Sequence, residues 1–150
     1  MVSYTTCMIQ MPLLVREPKG KKAVHPSDIA ELCKDMMDFA VESFHVISVN
    51  PKNVIIDRVS VSMGLVDSCL VHPREVFRAA IIANASSVFL VHNHPSGDCT
   101  PSSEDLKITR QLIESGKILN INVIDHLIIG HDDDWALKFF SIRESGCCTF

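Results

Sequence analysis

The chain has 150 residues, 47% of them hydrophobic, which is enough to close one apolar core. Its 14 Lys and Arg against 18 Asp and Glu leave a formal charge of −4, which argues against a broad positive field and against direct DNA binding. No repeat or low-complexity stretch divides it, so one domain is expected over 1–150: an N-terminal strand and loop at 1–26, a core at 27–143 and a tail at 144–150.

The opening stretch MVSYTTCMIQMPLLV has no basic residue ahead of its apolar positions, and Gln10 and Pro12 interrupt them. Neither a signal peptide nor a membrane span is expected. REPKGKK, at 16–22, reads as a solvated loop. In HPSDIAELCKDMMDFAVESF, the positions Ile29, Leu32, Cys33, Met36 and Phe39 or Ala40 recur at three- and four-residue steps. The spacing predicts one amphipathic helix with Ser27 available as its N-cap. FHVISVN, the turn NPKN and VIIDRVSVS predict a hairpin of two strands.

HPREVFRAAIIANAS predicts a second helix, with Pro73 in its first turn and Val76, Phe77, Ala80 and Ile81 on one face. SVFLV is short and continuously apolar, as a buried strand would be. SSEDLKITRQLIESG predicts a third helix, with Leu106, Thr109, Leu112 and Ile113 inward and Gly116 as its C-terminal cap. INVIDHLIIG and ALKFFSI, separated by the acidic turn HDDDW, complete the sheet. Helices alternating with strands imply an α/β sandwich, in which the loop after a buried strand is a favoured place for a site.

That loop is HNHPSGDCTPSSED, residues 92–105. Residues two apart on a strand share a face, so His92 and His94 can address one ion while Asn93 points elsewhere. Asp105 follows His94 after ten residues, with room for a turn at Pro95 and Gly97, and can fold back as a third ligand. Two imidazoles, one carboxylate and an open position describe a catalytic zinc site, where the bound water has a pKa lowered to about 7. Such a site also needs a carboxylate that is not a ligand, to accept the proton. A mononuclear iron centre uses the same donors and stays open at this point.

Plainer roles compete. Ser102-x-x-Asp105 is also a capping box, worth about 1 kcal/mol to a helix start. His25, His45, His72 and His131 read as ordinary polar side chains. The six cysteines, Cys7, Cys33, Cys69, Cys99, Cys147 and Cys148, show no CxxC and suit reduced thiols in the cytoplasm; Cys147 and Cys148 read as exposed tail thiols. The residues of a deaminase (His-x-Glu with Pro-Cys-x-x-Cys), a thermolysin-like protease (HExxH) and a serine hydrolase (Gly-x-Ser-x-Gly) are missing. The letters HNH do not make a nuclease, because in the family so named those residues are widely separated.

HNHPSGDCTPSSED resembles the signature of the JAMM, or MPN-plus, metalloproteases: His-x-His, then Asp after ten residues, with Ser-x-x-Asp in register. HPREVFRAAIIANASSVFLVHNHPSGD and DHLIIG resemble the RadC-like branch of that superfamily, over roughly residues 27–143. The resemblance implies a three-layer α/β/α sandwich with a mixed sheet, similar to the cytidine deaminases. It implies zinc held by His92, His94 and Asp105, with Ser102 steadying the oxyanion and a glutamate at the end of the first helix as general base. Glu42 occupies that position, and Glu31 is its rival. Cys99 departs from the pattern, which usually has proline there, and the helix-hairpin-helix-like segment that often precedes the domain is not seen in this sequence.

Two functions follow as expectations. One is a zinc-dependent hydrolase, a metallopeptidase or isopeptidase acting on a peptide or protein. The other is a non-catalytic metal-binding or interaction module associated with DNA repair or mobile-element biology. Substrate and oligomeric state are not readable from these residues.

Overall fold

A computed structural model describes residues 20–64 and 71–150. The expected N-terminal strand, most of the expected lysine-rich loop, Cys7 and Cys69 lie outside the described residues. Among the described residues five strands form one mixed sheet: β1 (Ser43–Val49), β2 (Ile55–Met63), β3 (Ser87–Asn93), β4 (Asn122–His131) and β5 (Leu137–Ser141). Their spatial order is β2-β1-β3-β4-β5, antiparallel throughout except for the β3–β4 pair, which is parallel. Three helices, α1 (Pro26–Leu32), α2 (Pro73–Ile82) and α3 (Ser103–Leu119), flank the sheet.

Alternation along the strands sorts the core into two layers. Phe44, Val46, Val88, Leu90 and Ile128 face α2 and α3, where they meet Val76, Phe77, Ala80, Leu112 and Ile113. Ile47, Val49, Phe89, Val91, Leu127 and Ile129 face α1 and the 3₁₀ turn after it, meeting Ile29, Cys33 and Met36. The fold is therefore the expected three-layer α/β/α sandwich, with β1, β3 and β4 covered on both sides. Their largely apolar composition follows from that double burial.

Five local expectations are corrected. The first helix is not continuous: α1 stops at Leu32 and a 3₁₀ helix covers Lys34–Asp38. Arg58, from β2, donates to the Leu32 carbonyl at 3.1 Å and grips Asp35 through two bonds of 2.7 and 2.9 Å. Met36 N–H accordingly closes on the Cys33 carbonyl at 2.9 Å, tightening the turn. The N-cap is His25 rather than Ser27: Pro26 begins the helix, and the Asp28 carboxylate accepts from the backbone N–H of Val24 and His25, both at 2.8 Å.

On α2, Val76, Phe77 and Ala80 are buried as expected, whereas Ile81 is 59% exposed. Cys148 is also not an exposed thiol; the final turn folds its side chain into the layer beneath α3, while Cys147 stays exposed.

Gly116 does not end α3. The helix runs on to Leu119, and Asn120, at φ 55°, supplies the left-handed cap. Glycine at 116 serves close packing instead: a Cβ there would lie 2.5 Å from the Ile121 carbonyl oxygen and 3.2 Å from the Phe77 ring. Alanine adds roughly 0.5–1 kcal/mol in a helix interior, but backbone cannot yield as a side-chain tip does. Gly116→Ala is expected to lose a net of about 1–2 kcal/mol of stability; unchanged denaturant unfolding would contradict this packing.

Candidate metal centre

Strand β3 ends where the parallel β3–β4 pair meets the start of α3, and the polar loop lies between them. His92 closes the strand on the α2/α3 face, and His94 N–H continues the ladder onto the Ile129 carbonyl at 2.9 Å. Their Nε2 atoms stand 3.0 Å apart. Asp105, one turn into α3, presents Oδ1 to His92 Nε2 at 3.2 Å and Oδ2 to His94 Nε2 at 3.3 Å. The structure brings the three expected ligands together.

These separations fit one small cation. Donors about 2.0–2.1 Å from a tetrahedral ion stand about 3.3 Å apart. One ligand atom from each of the three residues lies within 4.8 Å of the others.

Each ligand is held from behind. His94 Nδ1 is 2.7 Å from the Asp98 carbonyl, to which it can only donate, so the neutral ring turns its Nε2 lone pair inward. Asp105 Oδ2 accepts Ser102 N–H at 2.7 Å, and Ser102 Oγ accepts Asp105 N–H at 3.1 Å, closing the capping box. The ring of His92 stacks on Phe44, centroids 6.0 Å apart and planes 7° off parallel. His92 Nδ1 meets His126 Nε2 at 2.8 Å, and His126 Nδ1 meets Thr109 Oγ1 at 2.6 Å.

Charge follows geometry. Burial alone would raise the Asp105 carboxyl, but the His92 and His94 imidazoles against its two oxygens and the hydrogen bond from Ser102 hold it well below the usual carboxylate range. Burial would lower His94; the hydrogen bonds to Asp105 and to the Asp98 carbonyl, with the charges of Asp105 and Glu42, raise it above the ordinary imidazole value. The pocket is built for positive charge.

Glu42 immediately precedes β1, half-buried, whereas its rival Glu31 is exposed on α1. Carrying the Phe44↔His92 register two residues further sets Glu42 across from His94. The backbone around it is clamped: Asn93 Oδ1 accepts Ser43 N–H at 2.8 Å, Asn93 Nδ2 donates to the Val41 carbonyl at 3.1 Å, and the Glu42 carbonyl accepts Gly64 N–H at 2.7 Å. Ser102 is exposed at the helix start. Its oxygen is committed to the cap, and its hydroxyl hydrogen remains free to donate outward.

The remaining candidates lie apart from the centre. Cys99 is not among the clustered ligands, and burial pushes its thiol up to about 11, so it stays protonated. His25 and His72 are exposed at helix starts, His45 bonds Ser43 and Arg58, and His131 stacks on Trp135. Sequence reading missed Asn93, Thr109 and His126. The signal for the last two was a hydroxyl on the apolar face of a helix and an imidazole inside an apolar strand, both of which need polar partners.

The model of the RadC-like JAB domain matches residues 23–147 of this chain. The chain is 49% identical over 127 residues to a UPF0758 protein of Caldanaerobacter subterraneus, covering 84% of this chain and 54% of that protein. It is 49% identical over 114 residues to one from Clostridium novyi, covering 75% and 50%, and 48% identical over 118 residues to one from Symbiobacterium thermophilum, covering 79% and 48%. The chain thus spans about half the length of the curated relatives it matches. With the match running through the strand, loop and helix that carry His92, His94 and Asp105, the chain belongs to the RadC-like JAB domain family.

Proposed function

We propose that the chain is a zinc-dependent hydrolase of the JAMM type, a metallopeptidase or isopeptidase acting on a peptide or protein substrate. The observation that carries this reading is the convergence of His92 Nε2, His94 Nε2 and the Asp105 carboxylate beside a clamped Glu42 that bonds none of them. One divalent ion held by the three ligands would supply a Lewis acid and a water acidic enough to deprotonate near neutral pH. Zinc is the ion implied by the JAMM-like signature.

The chain's own groups supply the rest. Glu42 takes a proton from the attacking water and passes it to the leaving amine. Ser102 turns its free hydroxyl hydrogen toward the developing oxyanion at the start of α3, where the helix dipole also favours negative charge. Asn93 holds residues 41–43 so that the carboxylate of Glu42 is already in place, which spares its ordering at the moment of reaction.

A surface of net negative charge supports a protein substrate over nucleic acid. Among the described residues no helix is long and apolar enough to cross a membrane. Free Cys33, Cys99, Cys147 and Cys148 support work in a reducing compartment such as the cytoplasm.

Glu42→Gln is expected to retain full zinc content while hydrolysis falls about 10²- to 10⁴-fold, the usual worth of a positioned base; wild-type turnover in that variant would remove Glu42 from the role. His94→Ala and Asp105→Ala are expected to lose the bound ion, read by elemental analysis of the folded proteins. Stoichiometric zinc in both would reject the ligand set, and zinc with no hydrolysis across a broad peptide and isopeptide screen would favour the non-catalytic module.

A further inference from the structure

DHLIIG contains a histidine that the hydrolytic scheme leaves without a role. His126 sits on β4 with no exposed surface, and both its ring nitrogens are engaged. The order of protons along this buried chain of groups can be worked out from one fixed end. Thr109 Oγ1 lies 2.6 Å from the backbone carbonyl oxygen of Asp105. A carbonyl has no hydrogen to give, so the single hydroxyl hydrogen of Thr109 points there.

Oγ1 can then only accept from the imidazole 2.6 Å away, which places a hydrogen on His126 Nδ1. Among the described residues no carboxylate bonds the His126 ring, and a second proton would leave an unpaired charge where water does not reach. The ring is therefore neutral and its Nε2 is bare. That atom accepts from His92 Nδ1 across 2.8 Å. His92, with its hydrogen spent on Nδ1, turns a bare Nε2 toward His94 and Asp105.

We propose that Thr109 and His126 are positioning residues that set His92 in the Nδ1–H tautomer, through a proton order that starts at the Asp105 carbonyl. The inference rests on the metal-centre reading for its purpose and on hydrogen-bond chemistry for its direction. The reverse order fails at its first link, because it would set Thr109 Oγ1 and the carbonyl oxygen lone pair against lone pair at 2.6 Å.

The arrangement joins the ligands to one another. The backbone of one ligand, Asp105 on α3, orients the ring of another, His92 on β3, by way of β4. His94 reaches the same state by a shorter route, through the Asp98 carbonyl. Groups behind metal-bound histidines are commonly worth 10- to 100-fold in metal affinity, because they fix ring orientation and tautomer.

The test has two readouts. Nitrogen-15 imidazole spectra of the metal-free wild-type chain at about pH 8, above the ordinary imidazole range, are expected to show His92 and His126 both as Nδ1–H tautomers. Zinc affinity, measured by competition with a chromophoric chelator, is expected to fall about 10- to 100-fold in Thr109→Val and to be retained in Thr109→Ser, which keeps the hydroxyl. A hydrogen on His126 Nε2, a His92 Nδ1 without one, or wild-type affinity in folded Thr109→Val, would overturn the relay. Failure of the wild-type chain to hold zinc would reject the metal centre instead; the tautomers, read without metal, decide the relay in that case too.

Discussion

The reciprocal pair of hydrogen bonds between Ser102 and Asp105 is the contact on which the site depends. It starts α3 at a defined residue, and it fixes the Asp105 carboxylate on the side of the helix that faces the end of β3. The capping role and the proposed ligand role, alternatives on sequence grounds, fit one arrangement: Oδ2 receives the Ser102 N–H while both oxygens face imidazoles. The carboxylate that starts the helix is thus the one that faces two histidine nitrogens at 3.2 and 3.3 Å.

Sheet topology supplies the second constraint. Because β3 and β4 are parallel, the chain must cross over between them, and α3 is that crossover. Its N-terminus lies beside the C-terminal end of β3, where His92 is still paired with Phe44 and Ile128 and His94 lies just past the last strand residue. On the other side, antiparallel β1 brings the residues before its first position to the same level. Ligands and candidate base thus come from three separate elements, each placed by backbone pairing. Strand and helix ends of this kind position a site more tightly than loops alone.

What was legible in the sequence was what local chemistry determines. Periodicity placed the strands, α2 and most of α3, and the spacing His92, His94, Asp105 contained its own geometry: two residues on one strand face, then a turn and a helix start. What was not legible depended on partners far along the chain. The break at Cys33 is made by Arg58, a residue of β2. Gly116 looked like a stop signal because its neighbours Ile121 and Phe77 come from other elements. Cys148 was assigned to solvent for want of any local pattern, and the side chain of Asn93 gained its purpose only once β1 lay beside β3. Glu42 was favoured over Glu31 because it stands immediately before a predicted strand, at the position the resemblance implies; the register of β1 on β3 sets it across from His94.

The family match covers residues 23–147, so the groups around the centre belong to the part of the chain shared with its relatives, whose remaining length lies beyond it. The central claim concerns one small volume: that two imidazole nitrogens and one carboxylate hold a zinc ion there. Zinc-edge X-ray absorption of the purified, untagged chain tests this most directly. The account predicts about four nitrogen and oxygen neighbours at roughly 2.0–2.1 Å, with the outer-shell pattern of two imidazoles and no sulfur. A shell containing sulfur at about 2.3 Å, or one without imidazole scattering, would contradict it.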